Sequence, residues 1–246
     1  MPVIIRGHRV RFETAGPNDG PRPAKLSPCR YCGKEGHAFA TKPGWSSGSS
    51  AVLFNNILRG AEPQAHPWYS GRWSIAAHHL ICSEVMAEDD EWTSICWMTG
   101  YDINHRRNGV ILPMVLVVAC ELHVPVHRGN HAGGWASEKE MPYPDAVREL
   151  VEAYGEAALA GAYCSDPARF IADLNDLSRD ILSRLAAGAW TITSDGRDYL
   201  AGGVGCAGVH SLQSKPRRPC SHGRRHGVRH GTTGNPLPRR TLQVGE

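Results

Sequence analysis

Thirteen histidines and eight cysteines supply this 246-residue chain with side chains that ligate metals and move protons near neutral pH. Four histidine pairs stand at His-x-x-x-His spacing: His123/His127, His127/His131, His222/His226 and His226/His230. Random placement predicts roughly 0.7 pairs at any one spacing, and the last two pairs fall in a Gly/Arg-rich tail, so spacing alone does not separate a site from composition. His78 and His79 are adjacent; on a strand they would point to opposite faces and could serve one reaction only at a bend or a strand end. His127 and His131 would share one face of a helical turn and could meet one ion there, although Gly129 between them works against a regular helix.

Among the cysteines, only Cys29 and Cys32 stand at ligand spacing, in Cys29-Arg30-Tyr31-Cys32-Gly33-Lys34-Glu35-Gly36-His37. This is the opening of a zinc knuckle: a tight turn aims two thiolates at one ion, and His37 is a possible third ligand. The fourth position falls on Lys42, which cannot serve, so a structural zinc would need a distant residue such as Cys82, Cys96 or Cys120. No apolar segment resembling a secretory signal follows Met1, so the even cysteine count is not read as a disulfide framework.

These groups must be positioned by regular elements. Val3 to Phe12 is strand-like, Gly16 to Pro28 is Gly/Pro-rich, and residues 1–28 read as a flexible entry. Residues 29–70 read as a segment that wraps a metal or a neighbouring core, with a helix over Ala51 to Arg59. Trp73 to Val85 and Trp92 to Met98 are apolar without a clear period, and turn residues Asp102, Asn104, Asn108 and Gly109 punctuate Tyr101 to Pro113. Beyond Pro144, Val147, Leu150, Val151, Tyr154 and Ala158 recur at helical spacing, and Phe170 to Leu185 repeat the pattern after Asp166-Pro167. Trp190-Thr191-Ile192-Thr193 and Arg197-Asp198-Tyr199-Leu200 flank Ser194-Asp195-Gly196, which predicts a hairpin. The fold class is thus α+β, with order expected over residues 71–208 and residues 209–246 expected to be a disordered basic tail.

The pieces Ala77-His78-His79-Leu80-Ile81, Asn108-Gly109-Val110-Ile111-Leu112-Pro113 and His127-Arg128-Gly129-Asn130-His131 occur in an order that resembles the AHH family of predicted nucleases, over about Trp73 to Tyr154. That family is placed in the HNH/endonuclease VII superfamily and is known mainly as toxin modules of bacterial polymorphic toxin systems. The resemblance implies a small treble-clef, ββα-metal core and a phosphodiester-hydrolysing endonuclease. By the resemblance His78 is a metal ligand, His79 the general base, His131 a ligand, and His127 either a ligand or a water-activating catalytic residue. Asn108 would pin the loop that orients the base; taken alone, Asn108-Gly109 is an ordinary turn. Family members place a Tyr shortly after the H-x-G-x-H segment, whereas here residues 133–142 intervene before Tyr143. The implied cofactor is one divalent ion (Mg²⁺, Mn²⁺, Ni²⁺ or Zn²⁺), with a possible structural Zn²⁺ at Cys29 and Cys32. The implied partners are a nucleic acid and a cognate immunity protein.

Such chemistry needs a nucleophilic water, stabilisation of phosphoryl charge and help for the departing alkoxide, most of which one ion and one imidazole can supply. Arg72, Arg106, Arg107 and Arg128 flank the motif residues and could clamp phosphates, with solvated surface charge the alternative; His105 and His123 read as loop or core histidines. The net charge of +3 is unevenly spread: residues 215–246 carry eight Lys/Arg and one acid, and the remainder is net negative. The nuclease reading therefore rests on the histidines and Asn108, not on basicity. No apolar run approaches the about 20 residues of a membrane helix, and the expected location is the cytoplasm, with delivery to other cells through a specialised secretion system. Two alternatives are a zinc-stabilised nucleic-acid-binding module that relies on the basic tail, and a zinc hydrolase of another kind, for which the expected HExxH carboxylate is missing.

Overall fold

The computed structural model describes the backbone of residues 4–6 and 9–11 and, with side chains, residues 31–33, 42–87, 89–115, 118–119, 122, 124–193 and 241–246. Cys29, His37, Cys120, His123, the Arg197–Leu200 arm and residues 209–240 lie outside these. The order of elements is β1 (Ile4–Arg6), β2 (Arg9–Arg11), α1 (Ser50–Leu58), β3 (Ile75–His79), α2 (Asp90–Thr99), β4 (Gly109–Pro113), β5 (Trp135–Ala136), β6 (Met141–Pro142), α3 (Tyr143–Leu159), α4 (Pro167–Ala187) and β7 (Trp190–Thr191). The fold is α+β; among the described residues α1 to α4 stand around small sheets. No helix among the described residues is long and apolar enough to cross a membrane.

Local sequence explains the helix starts. Ser49 caps α1 by accepting from the Val52 amide, Asp89 caps α2 through Glu91 and Trp92, and Asp166 caps α4 through Arg169. Helices α3 and α4 follow the expected periodicity; Val147 and Val151 from one, and Phe170, Leu174, Ile181 and Leu185 from the other, are buried.

The central feature is the antiparallel β3–β4 pair. Its register sets Ala77 opposite Ile111, His78 opposite Val110 and His79 opposite Gly109. Because directly paired residues share a face, Ile75, Ala77, Ile111 and His79 lie towards α1, and Ala76, Leu112, Val110 and His78 lie towards α3. The cores agree: Leu53, Ile57, Trp68, Ile75, Ala77 and Ile111 form one cluster, and Val110 and Leu112 join the larger cluster of α2, α3 and α4. Both faces of a five-residue strand are thus buried, which explains the missing alternation in its sequence.

Trp190–Thr191, in the first arm of the expected hairpin, pairs with Trp135–Ala136 in a three-stranded sheet of order β6-β5-β7; the second arm lies outside the described residues. The expectation of a disordered tail changes for residues 241–246. Residues 241–246 lie along β4, with the Gly245 amide donating to Gly109 O (2.7 Å), the Ile111 amide to Glu246 O (2.7 Å), and Leu242 and Val244 packed on the core. The apolar residues Leu242 and Val244 supply the contact that the basic composition of the tail concealed.

Gly109 lets α1 pack onto β4: a Cβ there would lie 2.6 Å from Leu53 Cδ1 and 2.9 Å from Ile57 Cδ1. Gly109→Ala should therefore lower stability in urea unfolding by about 1–3 kcal/mol, the usual cost of overpacking. Adding Leu53→Val should recover part of the loss, and unchanged stability of Gly109→Ala would refute this packing account.

Candidate metal centre and active site

His78 and His79 stand at the end of β3 and leave it on opposite faces, as the register requires. His78 is fully buried. Its Nε2 lies 3.0 Å from the Tyr143 hydroxyl, which itself donates to Leu80 O at 2.6 Å. With its one proton committed to that carbonyl, the hydroxyl can only accept from His78, so His78 carries its proton on Nε2. Nδ1 then presents a lone pair, and that atom is buried without a hydrogen-bond partner. A buried, unpartnered imidazole nitrogen is costly unless it has a ligand.

The available neighbours are His127 and His131. Their ring centroids lie 5.0 and 4.9 Å from that of His78, and ligand atoms of all three lie within 4.8 Å of one another. His127 and His131 approach each other at 3.1 Å through their Nε2 atoms. They do not share a helical turn: residues 127–130 form a loop that reverses at Gly129 (φ 92°), and His131 opens a short 3-10 turn, His131–Gly133. The His127 amide donates to Pro113 O (2.9 Å), which anchors this loop to the end of β4. Three imidazoles can hold a divalent ion and leave a coordination position open, the arrangement of catalytic sites as opposed to closed four-ligand structural ones.

Glu84 lies behind His131, its Oε1 2.9 Å from Nδ1. His131 holds the Glu84 carboxyl down to about 2. Burial, then the charges of His131 and its neighbours, pushes His78 well below the ordinary histidine range and His127 to about 3. Burial also lowers His79, against the opposing effect of its hydrogen bond to Asn104. His78, His79 and His127 are therefore neutral near pH 7, as ligands and bases must be.

His79 is held from the other side of the strand. Its Nε2 is 3.1 Å from Asn104 Oδ1. The orientation of that amide is set by the Ser49 amide donating to Oδ1 (2.6 Å) and by Nδ2 donating to Ser47 O (3.0 Å). His79 thus donates through Nε2 and keeps Nδ1 as its basic nitrogen.

Asn108 is buried and fully used: Oδ1 accepts from the Ile81 amide (2.8 Å) and from Ser178 Oγ (3.0 Å), and Nδ2 donates to Ile81 O (3.0 Å) and Ile103 O (2.9 Å). It ties the segment after His79 to the start of β4 and to α4.

The sequence motif thus comes together around one strand end. Tyr143 reaches the cluster despite its displaced position in sequence. Asn104, Glu84 and Ser178 were not singled out for these roles; only Asn104 carried a signal, as a turn residue. Cys32 packs against Gly161, whose added Cβ would meet Cys32 Cβ at 2.6 Å. Among the described residues no group of three ligands includes Cys32; Cys82, one of the distant partners expected to complete a zinc knuckle, groups instead with Glu84 and His131. Burial pushes the Cys82 and Cys96 thiols up. His105 is an exposed loop residue that accepts from the Arg107 amide; Arg107 and Arg128 are exposed, and the Arg72 guanidinium stands 5.1 Å from the centre of the Trp73 ring.

Residues 64–181 match the family model AHH, a nuclease family of the HNH/ENDO VII superfamily with conserved AHH. No curated protein and no solved structure matches the chain.

The burial of His78, His79 and His127 has a sign in pH. Each titrates lower folded than its usual 6.5, so below that value the unfolded chain binds more protons. The associated stability is present above pH 6.5 and is lost as pH falls towards the folded values. The melting midpoint of chelator-treated protein should therefore drop between about pH 7.5 and about pH 5, above the range in which Glu84 titrates. His78→Asn should make the drop shallower; a midpoint flat over this range contradicts a neutral buried cluster.

Proposed function

From the premise that residues 64–181 belong to the AHH nuclease family, hydrolases of phosphodiester bonds acting on nucleic acid, we propose that this chain is a metal-dependent endonuclease with His78, His127 and His131 as ligands and His79 as general base. The observation that carries the reading is the convergence of the buried His78 imidazole and the half-buried His127 and His131 imidazoles, with Nδ1 of His78 unpartnered. When bound, the ion supplies Lewis-acid stabilisation of charge on the phosphoryl oxygens and the leaving alkoxide.

The chain's own residues do the rest. His79, oriented by Asn104, accepts a proton from the attacking water at Nδ1; the lowered pKa keeps it in the basic form at neutral pH. Tyr143 fixes the tautomer of His78. Glu84 steadies His131, as carboxylates behind ligating histidines do. Asn108 acts on the backbone and touches no reacting atom. His127, equally eligible beforehand as a water-activating residue, fits the ligand set better because its ring lies within the three-histidine group. A donor set of imidazoles suits Zn²⁺ or Ni²⁺ more than Mg²⁺, which prefers oxygen. DNA or RNA serves as substrate. A structural zinc at Cys29 and Cys32, and service as a bacterial toxin held in check by an immunity protein, remain part of the proposal on the sequence motif and the family resemblance alone.

Purified protein with plasmid or RNA should cleave in Mn²⁺, Ni²⁺ or Zn²⁺ and stop on chelation. His79→Ala should lower kcat by about 10²–10⁴-fold, the usual worth of general-base catalysis, while retaining the metal by elemental analysis. His78→Ala should lose metal and cleavage together. No metal-dependent cleavage by the wild type, or undiminished cleavage by His79→Ala, overturns the proposal.

A further inference from the structure

A cavity of 590 Å³, within the range of ligand sites, opens beside the histidine cluster and has His127 in its wall. Phe54, Tyr69 and Trp73 give it aromatic sides, Met114 an apolar one and Arg72 a fixed positive charge. Trp73 is the most exposed large apolar residue described, at 69%. Its backbone lies in the left-handed region at φ 64°, a conformation that bulky residues rarely adopt and that clusters at ligand-binding positions. The Arg72 guanidinium lies over the indole, its Cζ 5.1 Å from the ring centroid, and so exposed a ring cannot be covered on both faces.

We propose that Trp73, backed by Arg72, is a stacking platform for an unpaired nucleobase of the substrate, seating one nucleotide in this cavity while the adjoining phosphodiester reaches the histidines. The inference rests on the nuclease reading for the identity of its ligand. A base has a π-face that stacks on an indole whatever its sequence identity, and the guanidinium attracts the phosphate beside it. A planar ring with an adjacent anion matches an aromatic-walled cavity with one cation. A base within a duplex already has both faces stacked, so the platform selects single-stranded or unpaired segments and treats DNA and RNA alike.

The test compares wild type, Trp73→Ala and Trp73→Phe in cleavage of single-stranded DNA, single-stranded RNA and duplex DNA oligonucleotides. Binding of the same labelled oligonucleotides to chelator-treated protein is measured in parallel. Trp73→Ala should raise KM and Kd for both single strands by about 5- to 150-fold, the range expected for loss of one stacked base. It should leave kcat within about twofold and duplex binding unchanged, and Trp73→Phe should recover most of the loss. Single-strand KM and Kd unchanged in Trp73→Ala, or equal losses on single strand and duplex, overturn the platform. If the wild type cleaves nothing, the nuclease reading fails, and the single-strand Kd comparison still decides the platform.

Discussion

The site depends on the four hydrogen bonds of Asn108. A buried side-chain amide has two donors and two acceptor positions, and here each meets a partner: the amide and carbonyl of Ile81, the carbonyl of Ile103 and the hydroxyl of Ser178. Ile81 lies two residues after His79, Ile103 follows α2, and Ser178 belongs to α4. One side chain therefore closes the strand end, the long connection and a core helix against each other. Losing any of these bonds would leave a polar group unpaired in a buried site, which costs more than a typical bond contributes. The β3–β4 pair, whose strand geometry sends His78 and His79 to opposite faces, ends at this junction.

The strand end turns that separation to use. His78 faces Tyr143 and the loop that carries His127 and His131; His79 faces Asn104 and the start of α1. Each imidazole has one nitrogen committed to a hydrogen bond, which leaves the other as the chemically active one. Burial keeps both imidazoles uncharged, a condition that ligation and proton acceptance share. The cost is a group of neutral, partly unpartnered rings packed together, tolerable where a cation completes them.

Much of this was legible in the sequence. His78, His79, Asn108, His127 and His131 stand out because their order is specific even though each piece is short. Helices α3 and α4 stand out because a long amphipathic period is the strongest local signal. What the sequence hid was tertiary. Asn104 looks like any turn residue until Ser49, Ser47 and His79 surround it, and Glu84 belongs to no motif. Tyr143 lies at an unexpected distance along the chain, yet β5, β6 and the start of α3 fold it back beneath His78. Strand β3 gives no alternation because both its faces are buried, and β5, β6 and β7 are two residues long, too short for any period. The contact of residues 241–246 with β4 was masked by the basic composition upstream of them.

The account's central claim is that His78, His127 and His131 hold one divalent ion through ring nitrogens that the folded chain leaves available. Crystals grown with Mn²⁺ and measured for anomalous scattering test it directly. One strong peak is expected about 2.0–2.3 Å from His78 Nδ1 and from one nitrogen each of His127 and His131, with Tyr143 still bonded to His78 Nε2. A peak ligated by other residues, or no peak at this cluster while the protein cleaves nucleic acid in Mn²⁺, would contradict it.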